Sequence, residues 1–231
     1  MSIEIYPVKG IPEVAPGDDL AALILGGLVA SDVVLIDRDV VVVTHKVVSK
    51  AEGRIEAAPD DDAYRRLVER EARAILRRRG DLMIAQTEHG FICANAGVDR
   101  SNVPEGQAVL LPTDADRSAH HIRVNLERAT GASIAVVVTD TFGRPWRRGL
   151  VDVAIGVSGL PAILDLRGSP DTHDRTMHVT EIAIVDEIAA AADLAMGKAD
   201  AIPVAVLRGL DLTGDGRASD LVRPPDEDLF R

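Results

Sequence analysis

The stretch SIAVVVTDTFGRPWRRG, from Ser133 to Gly149, is the feature that most constrains the fold. Its β-branched apolar residues read as a buried strand, and Thr139, Asp140 and Thr141, with a glycine close behind, end that strand at a sheet edge or cleft. Polar groups at such an end stand where binding and chemistry are often placed. Gly143 and Pro145 flank Arg144, so a turn is expected that brings Arg144 beside Arg147. A strand continuing instead would put Arg144 and Arg148 on one side. Trp146, the chain's only tryptophan, either stacks on a flat ligand ring or fills the core.

Other short Val/Ile/Leu runs read as strands: SIEIYPV, DVVVVTH, DLMIAQ, GFICANAG, QAVLLP, VDVAIGV, MHVTEIAIV and IPVAVLRG. Helical spacing is expected over 18–30, 60–79, 114–130 and 186–196, with Thr113 and Asp116 marking a helix start after Pro112. Thr87 to Gly90 is expected to be a hairpin turn, which argues against a purely parallel sheet. The architecture is therefore mixed α and β, with sheets that are not purely parallel. In 231 residues with 46% hydrophobic and 3% aromatic content, the core must be packed mainly by Val, Ile, Leu and Ala.

Several function classes are excluded or disfavoured. Leu20 to Ile36 is apolar, but Asp32 and a glycine pair interrupt it, so it fits neither a membrane span nor a signal peptide, and the cytoplasm is the default location. A net charge of -11 disfavours nucleic acid and anionic membranes as partners. The basic segment from Tyr64 to Gly80 reads as a solvated helix face. The single cysteine, Cys93, lies in an apolar run and reads as a structural thiol. No phosphate-binding G-x-x-x-x-G-K-[ST] loop, G-x-G-x-x-G, H-E-x-x-H or G-x-S-x-G is present, since GVSGL has the wrong spacing. DLTGDG, from Asp211, imitates half a calcium loop but reaches Val222 where a glutamate is needed. The six histidines are scattered, and His120 and His121 are helix neighbours, which disfavours zinc.

Three polar constellations remain, each at the end of an apolar run: Asp140 and Thr141; Asp99 and Asn102 in NAGVDRSN; and His45, Lys46, Ser49 and Lys50. Two aspartates and a hydroxyl are the oxygen set preferred by Mg²⁺ or Mn²⁺, with water and phosphate completing the shell. Nearby lysines and arginines would neutralise phosphate charge. Taken singly, Asp140 also suits a helix cap, Asp99 and Asn102 suit turns, and Lys50 suits a surface.

The segments PVKGIPEVAPGDDLAALI, VVSKAEGR, NAGVDRSNV, LLPTDADRSA, TDTFGRPWRRG, AIGVSG, DEIAAAADLAMGK and IPVAVLRG occur in that order. Together they resemble the coenzyme F420:L-glutamate γ-ligase family over about Pro7 to Leu210. The resemblance implies two intertwined α+β subdomains in a homodimer, with residues 1–210 as the ligase domain and 211–231 as an acidic tail or linker stump. It implies GTP-dependent addition of L-glutamate to the deazaflavin precursor of the coenzyme, with Mg²⁺ or Mn²⁺ and a stimulatory K⁺. By the same resemblance, Asp99, Asp140 and Thr141 hold metal. The nucleotide contacts fall on Ile11, Pro12, Glu13, Val14, His45, Lys50, Asn102, Met196, Gly197, Lys198, Ala199 and Asp200. The chain departs from the family pattern at His45, where a small hydroxylated residue is usual, and at Asp174, where glycine is expected.

Acylation of an amine by a carboxylate needs a leaving group better than hydroxide, so an acyl phosphate made from GTP is the expected intermediate. Arg144 and Arg147 are then expected to act on the phosphate or the acceptor, with Arg148 contributing less. Two alternatives stand beside this reading: a metal-dependent phosphohydrolase or phosphotransferase, and a nucleotide-binding module without catalysis.

Overall fold

The computed structural model describes residues 2–229. The chain runs β1 (Glu4–Val8), α1 (Leu20–Ala30), β2 (Val40–Thr44), α2 (His45–Ala51), β3 (Ile55–Ala57), α3 (Asp61–Glu71) and β4 (Ala72–Arg79). It continues through β5 (Leu82–Thr87), β6 (Ile92–Ala94), β7 (Gln107–Val109), α4 (Ala115–Thr130), β8 (Ala135–Arg144) and β9 (Arg147–Ser158). The last elements are β10 (Leu164–Asp165), β11 (Glu181–Ile182), α5 (Ile184–Met196) and β12 (Val204–Arg208). This is the α+β class expected.

The main sheet has the order β1-β12-β2-β8-β9, in which only β2 and β8 are parallel. The valine runs explain the layering, because successive side chains point to opposite faces. Val41 and Val43 of β2, with Val136 and Val138 of β8, pack on α1 and α4 through Ile24, Leu28, Ile122 and Leu126. Val40, Val42 and Val137 face the other way, onto Val185, Ile188, Ala192 and Met196 of α5. Covering both faces makes β2 and β8 interior strands whose ends carry the polar groups. Gly156 lets α4 come close, since a Cβ there would lie 2.4 Å from Ala115 O.

A smaller assembly is inserted between α2 and α4. It comprises the pair β3-β7 and the antiparallel sheet β4-β5-β6, with α3 burying Leu67 and Val68 against Met83, Ala85, Val98 and Leu110.

Three local expectations are corrected. The helix expected over 60–79 stops at Glu71, and Ala72–Arg79 is a strand paired with β5. Gly80, at φ +57°, lets that pair form through a two-residue turn, and cross-strand pairing overrides the helical charge pattern. MHVTEIAIV is strand only at Glu181–Ile182, because Val185, Ile188, Ala189, Ala192 and Met196 have helical spacing and Asp186 and Glu187 favour a helix start. Asp114, rather than Thr113, caps α4 by accepting from Arg117 N. The carboxylate of Asp116 instead accepts from Val157 N and Ala218 N.

The expected hairpin turn holds. Gly90 N donates to Thr87 O in the turn joining β5 and β6. Asp174 adopts φ +58°, the left-handed conformation that the expected glycine would favour, and aspartate tolerates it better than most residues. The chain after Leu210 returns to the sheet, where Ala218 is buried. Both the 1–210 and the 211–231 assignments extend to positions outside the described residues, namely 1 and 230–231. Among the described residues, no helix is long and apolar enough to cross a membrane.

Candidate functional site

A cleft of about 320 Å³ opens where β2 and β8 end. Parallel pairing in register puts Thr44 opposite Thr139, so the two strands deliver their polar ends to one place. From β2 the chain turns directly into α2, a helix absent from the sequence reading, which carries His45, Lys46 and Lys50 along the cleft. From β8 come Thr139, Asp140 and Thr141. Ile11 to Val14 close a third side, and Gly197, Lys198 and Ala199, just beyond α5, close the fourth.

Each cleft lysine is held on carboxylate. Lys50, almost wholly buried, pairs with the exposed Glu13. Lys46 Nζ lies 2.7 Å from Asp99 Oδ2. Burial pushes the Asp99 carboxyl up, but Lys46 together with the N–H and hydroxyl of Ser101 holds it below the usual carboxylate value. Lys198 Nζ lies 2.7 Å from Asp152 Oδ1 and 2.9 Å from Asp193 Oδ1. Burial pulls the Lys198 ammonium down, yet these two acids raise it above its ordinary value.

Asp152 and Asp193 were missed by the sequence reading. Asp152 is only 2% exposed and accepts from Thr139 Oγ1 at 3.2 Å, Thr141 Oγ1 at 2.6 Å and Lys198. Its signal was an acid at an inward position of VDVAIGV. Asp140 Oδ1 accepts from Thr141 N at 2.7 Å. His45 is buried, and its Nε2 stands 3.1 Å from Asp140 Oδ1 without hydrogen-bond alignment, so neither ring nitrogen has a hydrogen-bond partner among the described residues. A buried imidazole left this way is costly unless something else enters the cleft.

The expected site residues are thus brought together in large part. Ile11, Pro12, Glu13, Val14, His45, Lys50, Asn102, Gly197, Lys198 and Ala199 line the cleft with Asp140 and Thr141. Asp99 stands behind Lys46, one ion pair away. Met196 is 1% exposed and packs under the sheet with α5, so its side chain is not part of the cleft lining. Asp200 is not in the cleft lining.

The arginines sit elsewhere. Arg144 and Arg147 face one another across a hairpin whose two turn residues are Pro145 and Trp146, the latter at φ +61°. This is the turn geometry expected, yet both arginines are exposed and outside the cleft lining. Arg144 Nη2 donates to Arg148 O at 2.6 Å. Trp146 is 86% exposed, which rules out a place in the core.

The oxygen donors suit a hard divalent ion. Among the described residues, no three His, Cys, Asp or Glu side chains gather closely enough to enclose a metal unaided. Asp140 and Asp99 would therefore need water or phosphate to complete a shell, which is the habit of Mg²⁺. The ammonium of Lys198 against Thr141 Oγ1, at 2.7 Å, marks a spot that already stabilises positive charge.

The sequence pattern of the F420-0:Gamma-glutamyl ligase family matches residues 10–209. The chain is 42% identical over 251 aligned positions to the coenzyme F420:L-glutamate ligase of Methanothermobacter thermautotrophicus, with 100% of both chains covered. It is 40% identical to the enzyme of that name from Methanopyrus kandleri, covering 100% of this chain and 98% of the relative. It is also 40% identical to that from Archaeoglobus fulgidus, covering 100% and 97%. With so much of its length matched, and with the strand-end cleft built from the matching segments, the chain belongs to the F420-0:gamma-glutamyl ligase family.

Proposed function

We propose that the chain is a GTP-dependent ligase that joins L-glutamate, through a γ-linked amide, to the deazaflavin precursor of coenzyme F420. The observation carrying this reading is the convergence of three lysines, each neutralised by a carboxylate, on Asp140 and Thr141 at the ends of β2 and β8. A polyphosphate entering the cleft would take over the lysines. Lys46 and Lys50, on one short helix, would grip phosphate oxygens, and Lys198 would neutralise charge from the opposite wall. The loop from Ile11 to Val14 offers an apolar edge for the base.

The precursor's carboxylate oxygen attacks the γ-phosphorus, the bond to the β-phosphate oxygen breaks, and GDP leaves. The glutamate amine then attacks the acyl carbon, loses a proton, and phosphate departs. Negative charge peaks on phosphate oxygens in both steps, where fixed cations are most effective. Asp140, Thr141 and Asp99 would hold Mg²⁺ or Mn²⁺, which when bound supplies further neutralisation of phosphate charge. Asp152 fixes the Thr141 hydroxyl and the Lys198 ammonium in place. Arg144 and Arg147, at the hairpin tip, would meet only the outer part of a substrate. A stimulatory K⁺, a homodimeric state and a cytoplasmic location complete the reading.

The test is an omission series with GTP, Mn²⁺, glutamate and the precursor. A ligase couples GDP release to both acceptor and amine. GTP loss that persists without either would replace the ligase by a phosphohydrolase, and no GTP loss in the complete mixture would leave a binding module.

A further inference from the structure

A second cavity, of about 880 Å³, opens at the other end of the main sheet. β8 leaves this cavity at Ala135 and reaches the cleft at Thr139, so strand rise separates the two by roughly 13 Å. No residue lines both.

Besides 133–135 and 157–159, three segments line the cavity. α4 presents Arg117, His120 and Arg123, spaced three apart and so on one side of the helix. Arg38 comes from the turn before β2. The third wall is the strap 212–217, which takes in most of the DLTGDG segment and ends in Arg217. The strap is clamped to the sheet: Gly214 N donates to Gly159 O at 3.3 Å and Gly216 N to Leu160 O at 3.0 Å. A Cβ on Gly216 would fall 2.2 Å from Ala162 N, so only glycine allows this approach.

The charges are committed unevenly. Asp37 accepts from Ser133 N at 2.8 Å, Asp114 from Arg117 N at 2.9 Å, and Asp116 from Val157 N at 2.8 Å and Ala218 N at 3.1 Å. These carboxylates serve the fold, although Asp116 also lies within reach of the Arg217 charge; Asp215 also lines the cavity. Among the cations, Arg38 pairs with Asp211, while Arg123 holds Ser158 Oγ at 2.9 Å and Glu127 at 3.1 Å. The Arg117 guanidinium makes no hydrogen bond or ion pair among the described residues, and the exposed His120 ring lies 6.2 Å, centroid to centroid, from that of His121.

We infer that this cavity binds a small, multiply anionic molecule bearing phosphate or carboxylate groups, gripped by Arg117 and Arg217 with His120 between α4 and the strap. Guanidinium forks match both kinds of anion. The volume suits a ligand of nucleotide size or smaller. In a chain of net charge -11, long-range attraction for anions is absent, so a local donor set must supply the binding. The inference does not rest on the ligase reading, because the cavity shares no residue with the cleft.

Isothermal titration of the full chain with pyrophosphate, and separately with citrate, tests it. Apart from any pyrophosphate event in the lysine cleft, which is the event Lys50→Ala removes, at least one probe should bind once per chain in this cavity. Its affinity should fall at least about tenfold in Arg117→Gln/Arg217→Gln, the scale of losing charge-assisted hydrogen bonds. It should stay within about twofold in Lys50→Ala, which alters only the cleft. Binding of pyrophosphate alone assigns a phosphate ligand, and binding of citrate alone a polycarboxylate. Both arginines are exposed, so the variants should melt with the wild type. If the double variant does not, Arg117→Lys, which keeps charge but loses the fork, must still weaken binding. No heat with either probe at millimolar concentration, or losses that follow Lys50 and not the arginines, would overturn the inference.

Discussion

Lys198 Nζ stands 2.7 Å from Asp152 Oδ1 and ties the loop after α5 to the middle of β9, 46 residues away in sequence. The carboxylate is buried and the lysine side chain is 56% exposed, so the pair is neither a surface bridge nor a fully buried one. The two sides of the cleft meet through it.

Removing the cation should therefore destabilise the protein moderately. Lys198→Met leaves a buried carboxylate without its counter-charge and should cost about 1–2 kcal/mol, less than the ~3–5 kcal/mol of a wholly buried pair because solvent still reaches the lysine end. In an Asp152→Asn background, where no charge needs neutralising, the same change should cost less. Urea denaturation of the four proteins of this cycle measures the coupling. Costs that simply add would remove the pair as a structural tie.

Asp140→Asn is nearly isosteric and should preserve the fold while lowering ligase turnover by about two orders of magnitude, the scale of losing one strong electrostatic contact. Circular dichroism should be unchanged. A normal rate at saturating Mn²⁺ would exclude Asp140 from metal binding and chemistry.

Lys50 is held by Glu13, itself 81% exposed, and in the proposed function phosphate would take the place of that carboxylate. Lys50→Ala should weaken GTP binding by about tenfold or more and glutamate binding by much less, since a point charge directed at phosphate has no counterpart on the amine. Equal losses for both ligands would contradict the assignment.

These sites were legible in part, for physical reasons that differ from residue to residue. Asp140 and Thr141 were readable because β-branched runs specify interior strands, and polar residues at their ends must meet solvent or a ligand. Asp152 escaped because an acid inside an apolar strand looks like a surface position until its donors, Thr139, Thr141 and Lys198, are placed around it. α2 escaped because HKVVSKA is a single short segment whose helicity depends on its packing, with Val48 buried against the sheet. The helix expected across Ala72–Arg79 failed for the complementary reason: its charge pattern suits a helix, but Gly80 and the apolar β5 provide a strand partner. The burial of Met196 was not legible from its place in the motif, because only the packing of α5 under the sheet turns its side chain into the core.

Cys93 gives a test of the site's underside. Burial first, and the nearby charge of Asp140 second, push its thiol up to about 12 from an ordinary 9.0. The folded chain therefore keeps a proton that the unfolded chain releases once pH passes about 9. Stability contributed by the neutral thiol is full below that value and declines as pH rises toward 12. Lys198 also titrates in the alkaline range, so the comparison must be between wild type and Cys93→Ala, in which that contribution is common. The stability gap between the two should be largest near pH 7 and shrink by pH 10.5, as measured by urea midpoints. Iodoacetamide should alkylate the native thiol slowly at pH 8 and rapidly in denaturant, because only the thiolate reacts. Rapid alkylation of the folded protein, or a gap independent of pH, would show that Cys93 is not sealed beneath Asp140.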